Sequence, residues 1–401
     1  MIKYLMIFSM KLVLFNTISG QGTWTQKAKF PGVATHEGIG FSINGKGYFV
    51  GGTIAYPNWT NEVWEYNPNT DSWLKKANVP ATGLREPVSF VINNKAYLGT
   101  GMTGTSLINN FWEYDPALDK WTAKTSFAGT PRRDAIGFAI GNKGYVGSGR
   151  DASDDKKDFY EYDPASDKWT IKASLPGTMR DASTVFTLGN MAYVTTGRNA
   201  STTFNDLWEY DSLLNVWKQK TNFSGISRSE SVSFVIGSNA YVGLGHTGGS
   251  TDFWSYNQTN NSWSPVTSFP GAERSESVSF SIGNKGYVGL GFVVGKGTSN
   301  DFWEYDPSIT STVKLSTQND ELIIYPNPSR DELNISLPSR NGKQIELFIF
   351  NSYGQEVYKK QISNLNGTQN LNISEIINGV YIVHATTDNG VVYNKKIIIM
   401  K

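Results

Sequence analysis

One arrangement of reactive side chains recurs along this chain of 401 residues. Six times, at steps of 46 to 49 residues, a basic or imidazole side chain is followed within two positions by a carboxylate. The pairs are His36/Glu37, Arg85/Glu86, Arg133/Asp134, Arg180/Asp181, Arg228/Glu230 and Arg274/Glu276. A guanidinium fork matches the two oxygens of a carboxylate, so arginines gathered at one opening would suit an anionic ligand. On that reading the ligand-binding residues are Arg85, Arg133, Arg180, Arg228 and Arg274. The alternative is that each Arg pairs with a neighbouring acid and ties one repeat to the next. Repetition in every copy favours pairing, because a ligand seldom needs six-fold symmetry. Only the first copy departs from Arg. His36, with Glu37 and with His246 from a later loop, is therefore the candidate for proton transfer.

Other chemistry is sparse. The chain has three His and no Cys, which removes zinc–thiolate sites, cysteine nucleophiles and disulfides. Nothing readable supplies a third or fourth metal ligand beside the histidines, so no metal and no cofactor is assigned. Asp151, Asp154 and Asp155 cluster, but Lys156 and Lys157 follow at once; a solvated mixed-charge loop fits better than a calcium loop. No nucleophile elbow, phosphate loop or glycosidase carboxylate pair stands out. Tyr56 and Trp59 share one loop and offer faces on which a sugar ring could stack, although a loop Trp can equally cap an apolar neighbour. A net charge of +1 argues against a nucleic-acid partner.

The elements that must position these residues repeat with them. A Tyr recurs at 48, 97, 145, 193, 241 and 287. An aromatic two residues before another Tyr recurs at 64, 112, 160, 208, 254 and 303. A later Trp recurs at 24, 73, 121, 169, 217 and 263. A period of this length with several short strands per copy predicts a β-propeller. The low share of charge (18%), the aromatics (13%) and the 40 Gly suit strands joined by tight turns. Each copy reads as four antiparallel strands, in the third copy 135–140, 144–149, 158–162 and 168–172. The loop entering the first strand and the loop joining the second to the third then share one end. The six charged pairs should ring that mouth, with variable loops around them at 53–61, 102–109, 150–157, 198–205, 246–250 and 292–299. Residues 23–29 have the text of a fourth strand without its first three, and the copy ending at Pro307 lacks a fourth. The N-terminal strand is therefore expected to close the last blade, which leaves no open edge.

The ends differ in composition. Residues 1–20, with Lys3 and Lys11 before and within an apolar run, predict a cleaved secretory signal peptide, and no charge-free span is long enough to remain in a bilayer. Residues 308–320 read as a polar linker. Residues 321–401 hold no Trp, and their alternating runs with Asn-Gly and Tyr-Gly turns predict an immunoglobulin-like sandwich of about seven strands.

Two resemblances extend this reading. The apolar run, the Tyr before a glycine pair, the Tyr-Asp-Pro and the later Trp resemble the kelch repeat over residues 23–307. Only Gly51–Gly52 are adjacent; other copies have Gly-x-Gly or Thr-Thr-Gly. The resemblance implies an all-β chain whose main domain, residues 21–307, is a six-bladed kelch propeller, in which similarly placed arginines often contact ligands. It also raises an enzyme alternative, a sugar-modifying protein similar to the kelch-type sialic-acid mutarotases and epimerases. Copper galactose oxidases share the propeller but need a Cys–Tyr cross-link, which a chain without Cys lacks. The second resemblance lies at the C-terminus. The landmarks Tyr325–Pro328 (YPNP), 331–335 (DELNI), 345–357, 371–383 and 394–401 resemble the type A C-terminal sorting domain of the type IX secretion system of Bacteroidetes. It implies recognition by that secretion machinery and a secreted or outer-surface location. The expected function is a binding module for a glycan or protein ligand.

Overall fold

The computed structural model of the protein describes residues 22–200, 202–246, 250–308, 322–336, 344–351, 356–363, 368–387 and 392–401. The expected signal peptide and nearly all of the expected linker lie outside those residues. The chain divides into two compact units, Met1–Thr310 and Ser311–Lys401.

Every regular element described is a strand. In the first unit the strands form six four-stranded antiparallel sheets. Their first strands are Ile39–Ile43, Val88–Ile92, Ile136–Ile140, Thr184–Leu188, Val232–Ile236 and Val278–Ile282, and the sheets are called first to sixth in that order. In the second sheet Val88, Phe90 and Ile92 are buried while Ser89 and Val91 are half-buried, the alternation a pleated strand imposes. The next strand, Lys95–Gly99, is buried on both faces beyond its first residue. Each first strand packs against the first strands of the neighbouring sheets, and that of the first sheet packs against that of the sixth, so the first strands surround a common centre. The sixth sheet takes its outer strand, Thr23–Gln26, from the N-terminal side, in the register Trp24↔Tyr305.

Chemistry repeated at the outer edge staples each sheet to the one before. The indole Nε1 of Trp73, Trp121, Trp169, Trp217 and Trp263 donates to the carbonyls of Ala28, Ala77, Thr125, Ala173 and Thr221. Trp24 donates likewise to Thr267, across 243 residues of sequence. The Asp or Asn two residues before Trp73, Trp121, Trp169, Trp217 and Trp263, for example Asp119 and Asn215, takes a left-handed backbone (φ 49 and 54), which these residue types tolerate best after Gly. Its side chain accepts both a Tyr hydroxyl of its own sheet and a backbone N–H of the previous one.

In the second unit two sheets enclose an aliphatic core. One holds Ile323–Tyr325, Glu332–Ser336 and Thr368–Asn372; the other holds Glu356–Ser363, Gln344–Asn351, Gly379–Thr387 and Val392–Ile399. Leu333, Leu347, Ile349, Leu371, Val383, Ile397 and Ile399 are fully buried between them. Asn327, in the Tyr-Pro-Asn-Pro stretch, accepts from the Ile398 N–H, and the Ser329 and Met400 N–H groups extend the same clasp on the last strand. No helix among the described residues is long and apolar enough to cross a membrane.

Candidate functional site

The mouth is built where each chain segment enters its first strand. Six residues there, Glu37, Glu86, Asp134, Ala182, Glu230 and Glu276, have φ between 49 and 61. That left-handed turn is costly for a side-chain-bearing residue and persists where the surroundings enforce it. Backbone hydrogen bonds supply part of the enforcement by running from sheet to sheet. Glu37 N–H donates to Glu276 O, Glu86 to Glu37, Ala182 to Asp134, and Glu230 to Ala182. The second glycine of each Gly-x-Gly donates to the next sheet's segment, as Gly101 does to Arg132 O. A Cβ on Gly101 would stand 2.5 Å from the Arg85 carbonyl, so only glycine fits that approach.

The arginines that enter the first strands form two sets, one of which includes Arg132, the neighbour of Arg133. Arg132, Arg180, Arg228 and Arg274 are at most 2% exposed. Each is a bidentate clamp within its own sheet, with Nη2 2.9, 2.7, 2.9 and 2.8 Å from a carboxylate oxygen of Asp158, Asp206, Asp252 and Asp301. The Nη1 groups also donate to the carbonyls of Ser148, Thr196, Leu244 and Leu290. Burial pushes the Asp206, Asp252 and Asp301 carboxyls up, but hydrogen bonds and charge from the clamps outweigh it and hold them below the usual range. The expectation that Arg180, Arg228 and Arg274 contact a ligand is therefore corrected: their donors are consumed inside the protein and shielded from solvent.

Arg85 and Arg133 do reach the mouth, where each bridges two ring acids. Arg85 Nη1 is 3.0 Å from Glu37 Oε2 and 3.8 Å from Glu86; Arg133 Nη1 is 3.1 Å from Glu86 and 2.9 Å from Asp134. Two further arginines join them, Arg150 on Asp155 at 2.8 Å and Arg198 on Asp181 at 3.0 Å and on Glu230. These came from a position the charged-pair pattern does not include, the residue after the glycine that follows each second strand. That position, Thr53, Met102, Arg150, Arg198, His246 and Phe292, pairs across to the entering segment in every sheet. Its fixed offset of five residues from the repeat Tyr is the signal that could have found it.

Carboxylates outnumber guanidiniums here: Glu37, Glu86, Asp134, Asp155, Asp181, Glu230 and Glu276 face Arg85, Arg133, Arg150 and Arg198. Burial, reinforced by Asp134 and Glu37, pushes the Glu86 carboxyl up to about 9. Burial, with Glu230 and Glu37, pushes Glu276 up to about 9 as well. Asp134 rises to about 7, chiefly through burial. Glu37 is held low: burial opposes ionisation, but the Thr53 hydroxyl and Arg85 stabilise the charge. Burial lowers the His36 imidazole, which favours its neutral form.

His36 Nε2 lies 3.6 Å from Glu276 Oε2, and its ring edge meets Phe292 at 5.6 Å. His246 is exposed in the fifth sheet, and among the described residues no hydrogen bond, ion pair or ring contact joins it to His36. The sequence reading found no third ligand beside the histidines; the fold brings His36, Glu37 and Glu276 together, with one ligand atom of each within 4.8 Å of the others. Asp151 caps its own loop and pairs with Lys156 at 2.8 Å, and Asp155 is buried against Arg150 and Asn199. Trp59 is half-buried with the Arg85 guanidinium 5.6 Å over its ring, whereas Tyr56 is 78% exposed at the hairpin tip. Beyond Arg85, whose Nη2 approaches Met102 Sδ at 3.2 Å, an open groove runs between the second and third sheets. Met102, Thr105–Leu107, Thr130, Pro131, Arg133 and Asp151–Ser153 line it.

Known proteins resemble the two units separately. No curated protein matches the chain. A solved structure described as "Structure of YjhT" is similar over 69% of this chain and 95% of its own, with 16% identity and a TM-score of 0.60. A likeness at that identity concerns fold, and the fold is a β-propeller. Residues 323–400 match the family model of the "Secretion system C-terminal sorting domain", so the second unit is a sorting tail of the kind that directs secretion or outer-surface export.

Proposed function

We propose that the first unit is a six-bladed, kelch-type binding module that takes a glycan or protein ligand on its mouth face. The second unit, an immunoglobulin-like sandwich, hands it to the type IX machinery after a signal peptide has carried it across the inner membrane. The observation that supports this reading most is the contrast within the mouth face. The arginines of the ring are committed to ring acids, whereas the loops of the first to third sheets leave an amphipathic groove and the Tyr56 ring open to solvent. A concave, largely apolar cleft with a few polar groups is the usual form of a ligand site. Screening the full-length protein against glycan and surface-protein arrays should return a ligand whose capture is lost in a Tyr56→Ala/Leu107→Ser variant that melts normally. Undiminished capture by that variant would overturn the placement.

A second reading, a sugar-modifying enzyme, draws on the Glu86 and Glu276 carboxyls, which burial pushes up, and on the His36 imidazole beside Glu276, since perturbed acids at a mouth are candidates for proton transfer. Anomer exchange of free sugars followed by NMR tests it. Acceleration that vanishes in Glu86→Gln would favour the enzyme; the uncatalysed rate would leave the binding module.

A further inference from the structure

We propose that the seam between the first and sixth sheets binds a divalent transition-metal ion through His36, Glu37 and Glu276. The argument begins with a missing charge. At the next two seams an arginine sits between successive ring acids, Arg85 between Glu37 and Glu86 and Arg133 between Glu86 and Asp134. At the seam from Glu276 to Glu37 the side chain in that place is the imidazole of His36. A bound cation would supply there what a guanidinium supplies at those two seams.

The geometry suits ligation better than hydrogen bonding. The 3.6 Å from His36 Nε2 to Glu276 Oε2 exceeds a hydrogen bond. Two donors each about 2.0–2.2 Å from one ion stand at such a separation. His36 Nδ1 is buried with no hydrogen-bond partner. That orphaned ring nitrogen indicates a site whose polar groups are not all satisfied within the chain. The ligand-bearing backbone is already fixed. Glu37 N–H donates to Glu276 O at 3.3 Å, and His36 exchanges two backbone hydrogen bonds with Thr53. The Thr53 hydroxyl and Arg85 orient the Glu37 carboxylate, as outer-shell partners orient ligands in metal sites. One imidazole and two carboxylates suit Mn2+, Fe2+, Co2+ or Zn2+, whereas Ca2+ prefers six to eight oxygens. The inference is independent of the ligand in the groove.

The test uses the full-length protein, stripped with a chelator and titrated with Mn2+ under electron paramagnetic resonance, with Ca2+ as comparison. The expected result is a saturable Mn2+ site with nitrogen modulation in the spin echo, and a rise in Tm as the ion binds. Binding should weaken at least tenfold in His36→Ala and in Glu276→Gln, at least matching the loss seen when outer-shell partners are removed, and remain unchanged in His246→Ala. Absence of saturable Mn2+ binding, or binding without nitrogen modulation, would overturn the proposal on wild-type protein alone. Equal affinity in folded His36→Ala would overturn it as well.

Discussion

The third to sixth sheets fill the junction beneath the mouth with an arginine; the first and second place Thr35 and Leu84 there. The backbone does the same thing in both groups. Leu84 O accepts from Gly52 as Arg132 O accepts from Gly101, and Thr35 O accepts from Gly291. The carboxylate that receives each clamp changes in step: Asp158, Asp206, Asp252 and Asp301 correspond to Glu62 in the first sheet and Asn110 in the second. Leu84 packs fully buried against Val50, Val63 and Val79, while the hydroxyl of Thr35 is buried without a partner. The junction thus demands volume and a backbone acceptor rather than charge. A buried ion pair is commonly matched by a well-packed apolar group, and what is expensive is half a pair. The two sheets freed of the clamp are also those that carry the Tyr56–Trp59 hairpin and one wall of the groove.

The largest effect should come from halving a clamp. Arg228→Ala leaves the Asp252 carboxylate, the Ile226 and Leu244 carbonyls and the Phe223 face without their guanidinium. Breaking one side of a buried pair costs about 3–5 kcal/mol, readable in urea unfolding. Arg228→Leu with Asp252→Asn, which copies the second sheet, should recover most of that loss. If Arg228→Ala costs under about 1 kcal/mol, or the paired replacement recovers nothing, the two kinds of junction are not interchangeable and the comparison fails.

The next effect is in acid. The Asp206, Asp252 and Asp301 carboxyls titrate below their ordinary value of 3.8 in the folded protein. The native state then binds fewer protons than the unfolded chain. The stabilisation is complete above the unfolded value and is lost as pH falls through the depressed folded values. Tm should therefore drop steeply below about pH 4, and less steeply in the Arg228→Leu/Asp252→Asn variant, which has one depressed carboxyl fewer. Parallel curves would mean that the clamps are not what acid attacks.

Much of this was legible in the residues. The period, the Tyr and Trp columns and the orphan strand at 23–29 led to the sheets, and the Tyr-Pro-Asn-Pro stretch marked a tail whose last strand Asn327 holds. The charged-pair pattern mixes two registers one residue apart. Arg132, Arg180, Arg228 and Arg274 lie thirteen residues before the repeat Tyr, and His36, Arg85 and Arg133 lie twelve before it. In extended chain a one-residue step turns a side chain to the opposite side, so one register points into the junction and the other into the mouth. The clamps also carry a local mark, glycine three residues earlier (Gly129, Gly177, Gly225, Gly271), where a Cβ would press within 2.9 Å of the guanidinium. The raised Glu86 and Glu276 carboxyls had no such mark. Their shifts arise first from burial and then from acids of other sheets, Asp134 and Glu37 around Glu86, Glu230 and Glu37 around Glu276, which only the closed ring brings together.

The smallest effect on stability should come from the feature that sets the first sheet apart at the surface. Tyr56 is 78% exposed and meets Trp59 edge-on at 6.1 Å. An exposed contact of that kind is worth little, so Tyr56→Ala should change unfolding free energy by no more than about 0.5 kcal/mol. Trp59→Ala should cost more, because Trp59 lies under Arg85 and packs on Gly83, whose added Cβ would stand 3.1 Å from Trp59 Cβ. The proposed binding role assigns Tyr56 to the ligand rather than to the fold. Ligand capture should therefore fall with Tyr56→Ala while unfolding barely moves, the reverse of Arg228→Ala, which should lower Tm and leave capture by the folded fraction intact. If both variants lose capture in proportion to lost stability, the mouth face has no special role and the unclamped sheets differ from the clamped ones only in how they are packed.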